Sequence, residues 1–350
     1  MTRTPHDSPA FASAPDGGSV TAPAERVGPW FILVYALASF GALLVLLTPS
    51  LESLALRINT MASADEAPSV LGSVLTTGLL LQVVALPIAG RLSDRTRSRF
   101  GRRRPWIVIG AAGLLVGGGV MALVPGLAGL ITGYAIVSVA GSACVASLLA
   151  VLSDRVPVAQ RGSVSAFVGL GTVAALVVGS IIIAAVPHNS DAMFLVPAIV
   201  GAFFLLLFVV VVKERSSRDD APLPAQGIRD ILSTFWVDPR RHPDFFWAYL
   251  SRFLLQLAYA FLTTYQAYYL ISHLGIAAED VAGQVLIGTL LLAAATVVSS
   301  VLAGRFSDKL GRRKVFVITA AFITAGALLL TAGAGDLTLF FAGLVIAGIG

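Results

Sequence analysis

The stretch GRLSDRTRSRFGRRRPW, Gly90 to Trp106, holds seven arginines between Arg91 and Arg104 and a single acid, Asp94. In a chain that is 12% charged and 57% hydrophobic, such a concentration needs a cause. Mean hydropathy is +0.87 over 350 residues, whereas a soluble domain carries roughly a quarter charged residues. The chain therefore reads as an all-α integral membrane protein. Its apolar runs are about twenty residues long, enough to cross a hydrocarbon core of roughly 30 Å as helices. They are continuous rather than alternating, which excludes a β-barrel.

Ten hydrophobic segments are expected, at residues 29–51, 69–92, 105–124, 127–152, 162–186, 191–213, 244–271, 280–304, 314–333 and 337–350. If the first enters from the cytoplasm, the inner loops carry Arg91 to Arg104, Arg155 and Arg161, Lys213 to Arg241, and Arg305 to Lys314. The outer loops carry Arg57 with Asp65, Glu66, Asp191, Glu279, Asp280 and Asp336. Lys/Arg bias sets orientation, so the N-terminus is expected inside, in the cell (plasma) membrane. The basic pI near 9.7 is then topological, and nucleic acid falls away as a partner. Residues 1–28 read as a disordered cytoplasmic tail, without the order of a signal peptide. Residues 29–213 form a first bundle of six helices and 244–350 a second, incomplete one. Between them, 214–243 is a cytoplasmic linker in which Ile228, Ile231, Leu232 and Phe235 recur at the spacing of a short amphipathic helix.

The opening stretch has a counterpart. AGRLSD at Ala89 matches AGRFSD at Ala303, and each precedes Gly-Arg-Arg: Gly101, Arg102 and Arg103 in one, Gly311, Arg312 and Arg313 in the other. Two matched halves in one membrane chain suit a secondary transporter with repeats related by an axis along the membrane normal. Most of the arginines read as anchors to lipid phosphates. That does not explain Asp94 and Asp308 in one frame, each four residues after a glycine, Gly90 and Gly304. Such an acid can accept from the unpaired N–H groups of another helix's N-terminus, a contact that can be made and broken.

These residues resemble the major facilitator superfamily, whose loop between helices two and three carries Gly-x-x-x-Asp-Arg/Lys followed by Gly-Arg/Lys-Arg/Lys: here Gly90, Asp94, Arg95, Gly101, Arg102 and Arg103. The extended form SDRTRSRFGRRRPW is similar to the sucrose–proton symporters and the glycoside–pentoside–hexuronide cation symporters. A second family-like motif, SDRVPVAQRG, supplies Asp154, Arg161 and Gly162. The resemblance implies two pseudo-symmetric bundles rocking about a central site. It also implies that Asp94 closes an inner gate against helix eleven, and Asp308 one near Arg161 and Gly162.

Polar groups inside membrane helices are costly and usually face a cavity. In the seventh segment Arg252, Gln256, Tyr259, Thr263 and Gln266 fall within roughly an 80° arc, a row that suits a hydroxyl-rich ligand; interhelical hydrogen bonding with a snorkelling Arg252 is the alternative. Tyr265, Tyr268 and Tyr269 read as an interfacial belt. Gln82 is the one amide in mid-segment two, open to a cavity or a packing role, and Tyr35 and Ser39 share a face of the first segment. Glu52 is the best candidate for a proton carrier, although its place near the outer end also suits a solvated residue. No buried carboxylate presents itself, so proton coupling rests on the resemblance.

Gly169 begins GLGTVA, which has dinucleotide-loop spacing but lies inside a membrane segment, where small residues serve close packing; Gly113 and Gly117 read the same way. The four histidines show no metal spacing, Cys144 is the single cysteine, and no nucleophile has a base. No cofactor, metal or enzymatic activity is expected. The expected partners are a small-molecule substrate, protons and membrane lipids. The expected function is proton-coupled symport of a sugar or glycoside, the alternatives being proton-antiport export of amphipathic molecules or a non-transporting sensor of the same fold. After Asp336 fourteen residues remain, about 21 Å of helix. The chain is therefore expected to be the front portion of a longer transporter with about ten of twelve helices, in which Asp94 lacks its helix-terminus partner.

Overall fold

The structure is a computed structural model that describes residues 26–63, 65–186, 191–218, 240, 243–310 and 313–350. Most of the N-terminal tail and the amphipathic stretch through Phe235 lie outside the described residues. So do Gly311, Arg312 and the side-chain surroundings of Gly304, Asp308 and Arg313.

Every described element is helical. The first bundle comprises α1 (Pro29–Thr48), α2 (Leu54–Asn59), α3 (Ala67–Arg95), α4 (Arg104–Leu123), α5 (Gly126–Arg155), α6 (Val158–Ala185) and α7 (Ala192–Val211). The second comprises α8 (Pro243–Thr264), α9 (Gln266–Ser272), α10 (Ala278–Leu310), α11 (Arg313–Ala332) and α12 (Leu337–Ile349). Among the described residues nine helices are long and apolar enough to cross a membrane, and α12 is a shorter apolar helix. Proline stands in the first turn of α1, α3 and α4, where its missing N–H costs nothing. Asp336 caps α12, its carboxylate accepting from the Leu339 N–H at 2.8 Å.

In the first bundle α4 packs on α5 and α7, α3 on α5, and α1 on α6 and α7. Small residues set two of these crossings. A Cβ on Gly117 of α4 would lie 2.8 Å from the Gly133 carbonyl oxygen of α5, and one on Gly41 of α1 would lie 2.8 Å from that of Gly201 in α7. Close backbone approach of this kind maximises van der Waals contact where lipid supplies no hydrophobic driving force. Gly117 thus packs as expected. Gly169 does not: nothing lies within 4 Å of a Cβ built there, and it is exposed.

Two segments depart from their expected form. The first does not end at 51 but passes through a π-helical turn, Pro49–Ser53, into α2. Pro49 has no N–H to donate backwards, and the ladder resumes with the Leu54 N–H reaching the Pro49 carbonyl. The polar run Ser50, Glu52, Ser53 reads as a stop in isolation. It is carried because Ser50 bonds back to Leu46 and Leu47, and Ser53 donates to the Met193 carbonyl at 3.2 Å. The seventh segment is broken at Tyr265 into α8 and α9. The Thr263 hydroxyl donates to the Tyr259 carbonyl, a back-bond that bends helices, just before the break.

The bundles meet through α10 on α6, α8 on the π turn, and α9 on α2. The hydrogen bonds between bundles among the described residues lie toward the arginine-poor end: Tyr268 donates to the Ala55 carbonyl at 3.2 Å, and Ser180 meets Thr289 at 3.3 Å. Toward the arginine-rich end Phe167 and Leu170 of α6 and Leu302 of α10 are exposed.

Candidate functional site

At the arginine-rich end the buried charged side chain among the described residues is Arg103, 5% exposed. One of its nitrogens lies 2.5 Å from Asp94 and 3.1 Å from the Ser93 hydroxyl; two others reach Asp154 at 3.0 and 3.2 Å. The guanidinium's planar fork lets one side chain bridge α3 and α5. Asp94 is therefore tied within its own bundle, and Arg103 is no lipid anchor. Arg161 caps α5, donating to the Ser153 and Val156 carbonyls at 2.9 and 3.0 Å, where cations suit the helix dipole. Gly162 lies open, and Gly90 has ordinary contact distance to Ala146, so close packing does not demand a glycine at either. Gly101 is different: its φ is +96°, and a Cβ there would collide with Glu214. Arg95 is exposed and Arg102 half-buried.

Glu214 is the member of this cluster that the sequence reading missed. Its carboxylate accepts from the backbone N–H groups of Arg103 and Arg104 at 2.9 and 3.2 Å, the orphan donors at the start of α4. Around it, Ser217 bonds to Ser98 and Thr96, Arg97 donates to the Arg218 carbonyl, and Arg155 to that of Lys213. The residues just after α7 thus close the polar end of the first bundle. The available signal was an acid one residue beyond an apolar run, after Lys213, at the membrane face that holds the arginines.

Of the expected row on the seventh segment, Thr263 and Gln266 are buried, Tyr259 is half-buried, and Arg252 and Gln256 are exposed. The break at Tyr265 takes Gln266 off the register of the other four. It lines a cavity of about 370 Å³ with Tyr265, Tyr269, Thr331 and Phe340, among α8, α9, α11 and α12. Volumes of this size hold small ligands. Of the tyrosines expected in an interfacial belt, Tyr268 is buried instead. Tyr268 is 6% exposed and bonds across to Ala55, and Tyr269 donates to the Ala334 carbonyl at 3.0 Å. A buried phenol needs such a partner; the carbonyls that Tyr269 serves, Ala332 and Ala334, lie at the end of α11. Gln82 is half-buried on α3. Tyr35 is 2% exposed and donates to the Leu148 carbonyl at 2.9 Å, with Ser39 bonding back to Tyr35.

Glu52 is not solvated. It is 4% exposed inside the π turn, so the chain does hold a buried carboxylate, contrary to expectation. The Ser180 hydroxyl of α6 donates to its Oε1, and Ser180 also lies against Thr289 of α10. Among the described residues its Oε2 has no hydrogen-bond partner, and neither does the buried Thr48 hydroxyl one turn earlier. Ser180 and Thr289 carried no sequence signal, since lone hydroxyls are common in membrane helices. Among the described residues no group of three or more His, Cys, Asp or Glu could hold a metal.

Comparison with known proteins completes the description. Over 183 residues, 51% of this chain, it is 28% identical to the class C tetracycline resistance protein of Escherichia coli, and the match spans 44% of that protein. Over 39 residues, 11% of the chain, it is 56% identical to an uncharacterized symporter of Synechocystis sp., spanning 7% of that protein. The matched stretches thus cover less than half of either relative. The fold is that of the D-xylose–proton symporter crystal structure, with a TM-score of 0.61 at 18% identity, covering 91% of this chain and 78% of that one. The family model of the Major Facilitator Superfamily matches residues 29–350, and the chain belongs to that superfamily of multi-pass membrane transporters.

Proposed function

We propose that this chain works by alternating access, as a proton-coupled symporter of a sugar or glycoside, with its arginine-rich end in the cytoplasm of a cell whose plasma membrane it spans. The observation that carries the reading is the asymmetry between the bundles. Among the described residues the hydrogen bonds joining them sit toward one end, while Phe167 and Leu170 of α6 and Leu302 of α10 are exposed toward the other. Two bodies linked at one end in this way fit rocking about a central site.

Sugar as cargo is supported by the polar groups of the seventh segment. Gln266 offers a buried amide to the cavity it lines with Tyr265 and Tyr269, and Thr263, Tyr259, Gln256 and Arg252 form a row on α8 that runs toward the arginine-rich end. The symporters matched in sequence and in fold support the direction. Asp94 with Arg103, and Asp308 with Arg313, are assigned to gating. A second reading, proton-antiport export of an amphipathic compound, is favoured by the match to the tetracycline resistance protein.

Uptake by the protein reconstituted in sealed vesicles separates the two. With the vesicle exterior acid, labelled monosaccharides or glycosides should accumulate against their gradient, and collapse of the pH gradient should abolish this. Accumulation of an amphipathic cation under the opposite gradient, with no sugar uptake, would assign the chain to export.

A further inference from the structure

Glu52 is the buried ionisable group that the gating cluster and the row on the seventh segment leave unused. It sits in a π-helical turn, a distortion frequent at functional sites, at the place where the bundles meet. The charged groups on the surrounding elements are engaged or remote. Arg57 of α2 is held by Asp191 beside α7 at 2.8 Å, and Glu279 and Asp280 lie in the first turn of α10, about 14–15 Å along the helix from Thr289. From α6 the facing group is Ser180, and from α9 and the last turns of α8 the ionisable groups are the phenols of Tyr259, Tyr265, Tyr268 and Tyr269; Asp244, Tyr249 and Arg252 lie further back on α8, about 16 Å or more along the helix from Thr263, and exposed His273 follows α9. None of the ion pairs among the described residues involves Glu52.

A carboxylate charge in that setting has one hydrogen bond, an orphan Oε2 and no cation, far short of what a buried anion needs. A neutral acid has no such deficit. Ser180 has one hydroxyl proton and two neighbours, Glu52 Oε1 and Thr289 Oγ1. When Glu52 is ionised, that proton is drawn to Oε1. When Glu52 carries a proton on Oε1, it donates to the Ser180 oxygen, and Ser180 donates onward to Thr289 in the other bundle. Protonation therefore turns the hydroxyl chain toward the second bundle.

We propose that Glu52, with Ser180 and Thr289, is a proton-binding junction that holds the bundles together at the arginine-poor end when Glu52 is neutral and releases them when it ionises. The proton comes from water on that side while the junction is open and is sealed in as α6 closes on α10. This deepens the symport reading and rests on it for its consequence: closure at that end takes up one proton.

The test needs no substrate. In a Cys144→Ala background, a cysteine replaces Val285, which is 2% exposed and one turn from Thr289 on the same face. Its labelling by an impermeant maleimide is divided by that of a cysteine at exposed Glu279, so that the pH dependence of thiol reactivity cancels. The closed junction binds the extra proton, so the ratio should be low in acid and rise with pH, by up to about tenfold per pH unit for one linked proton. Glu52→Gln should give a ratio that stays low and flat. Thr289→Val, which keeps the shape and removes the hydroxyl, should raise the ratio several-fold in acid while preserving the pH slope.

A flat ratio with Glu52 intact, or an unchanged slope in Glu52→Gln, would overturn the proposal. So would a ratio that follows sodium concentration at fixed pH and ignores pH, since it would give these oxygens to a metal ion. Flat labelling alongside proton-driven sugar uptake removes this site and keeps the transport reading. A Glu52-dependent slope with no uptake does the reverse.

Discussion

Arg103 concentrates the residue-scale logic of the arginine-rich end. It is buried, while the two acids it bridges, Asp94 and Asp154, are each about half exposed. Breaking a buried ion pair costs about 3–5 kcal/mol, and exposed pairs are worth about 0–1, so Arg103→Ala should cost an intermediate amount, about 1–2 kcal/mol. Arg103→Lys should recover only part of this, since an ammonium cannot reproduce the fork between two acids. Thermal unfolding of the purified variants checks both; equal stability of Arg103→Ala and the unmodified protein would remove Arg103 from its structural place. Gly101→Ala faces two penalties, a left-handed backbone and a collision with Glu214. It should lose at least about 1 kcal/mol, whereas Gly162→Ala, in open space, should be close to neutral by the same measurement.

Helices carry the next level, where sequence periodicity succeeds and fails for physical reasons. If the polar groups on α8 and α9 hold substrate, Gln256→Ala and Gln266→Ala should weaken binding up to roughly tenfold, the worth of one hydrogen bond. Tyr268→Phe, which loses only the bond to Ala55, should lower thermal stability by about 1 kcal/mol and leave binding unchanged. Titration of tryptophan fluorescence with sugars reads the first effect; an equal loss of affinity in Tyr268→Phe would sink the assignment. Nine of the ten apolar segments were legible because hydrocarbon thickness imposes a length on each. Two interruptions were not. The π turn at Pro49 is carried by a partner far along the chain, Met193 for Ser53, and the break at Tyr265 follows a single Thr263 back-bond that leaves no mark on the apolar pattern. For the same reason Glu52 looked solvated: the π turn that holds it is covered by α6, α7 and α8, which local sequence does not show. Asp94, Arg103 and Asp154 stood out because charge is rare in this chain, while Glu214 was lost in a linker of mixed sign.

At the scale of the whole molecule, two claims are joined: orientation and rocking. Orientation rests on the arginine bias. Cysteine reporters at exposed Glu279 and exposed Ser216, in the Cys144→Ala background, should react and fail to react, respectively, with an impermeant reagent added to sealed cells; labelling at Ser216 would invert the topology. Rocking rests on the one-ended junction between bundles, and it demands that distances at the two ends change in opposite senses. The most direct measurement is a pair of spin-label distances in reconstituted protein, between Ser165 of α6 and Leu302 of α10 toward the arginine-rich end, and between Ala185 and Glu279 toward the other, all four exposed. On changing pH or adding transported sugar, the account predicts two populations in each pair, the first distance shortening as the second lengthens. A single unchanged distance in both pairs, or both lengthening together, would contradict it.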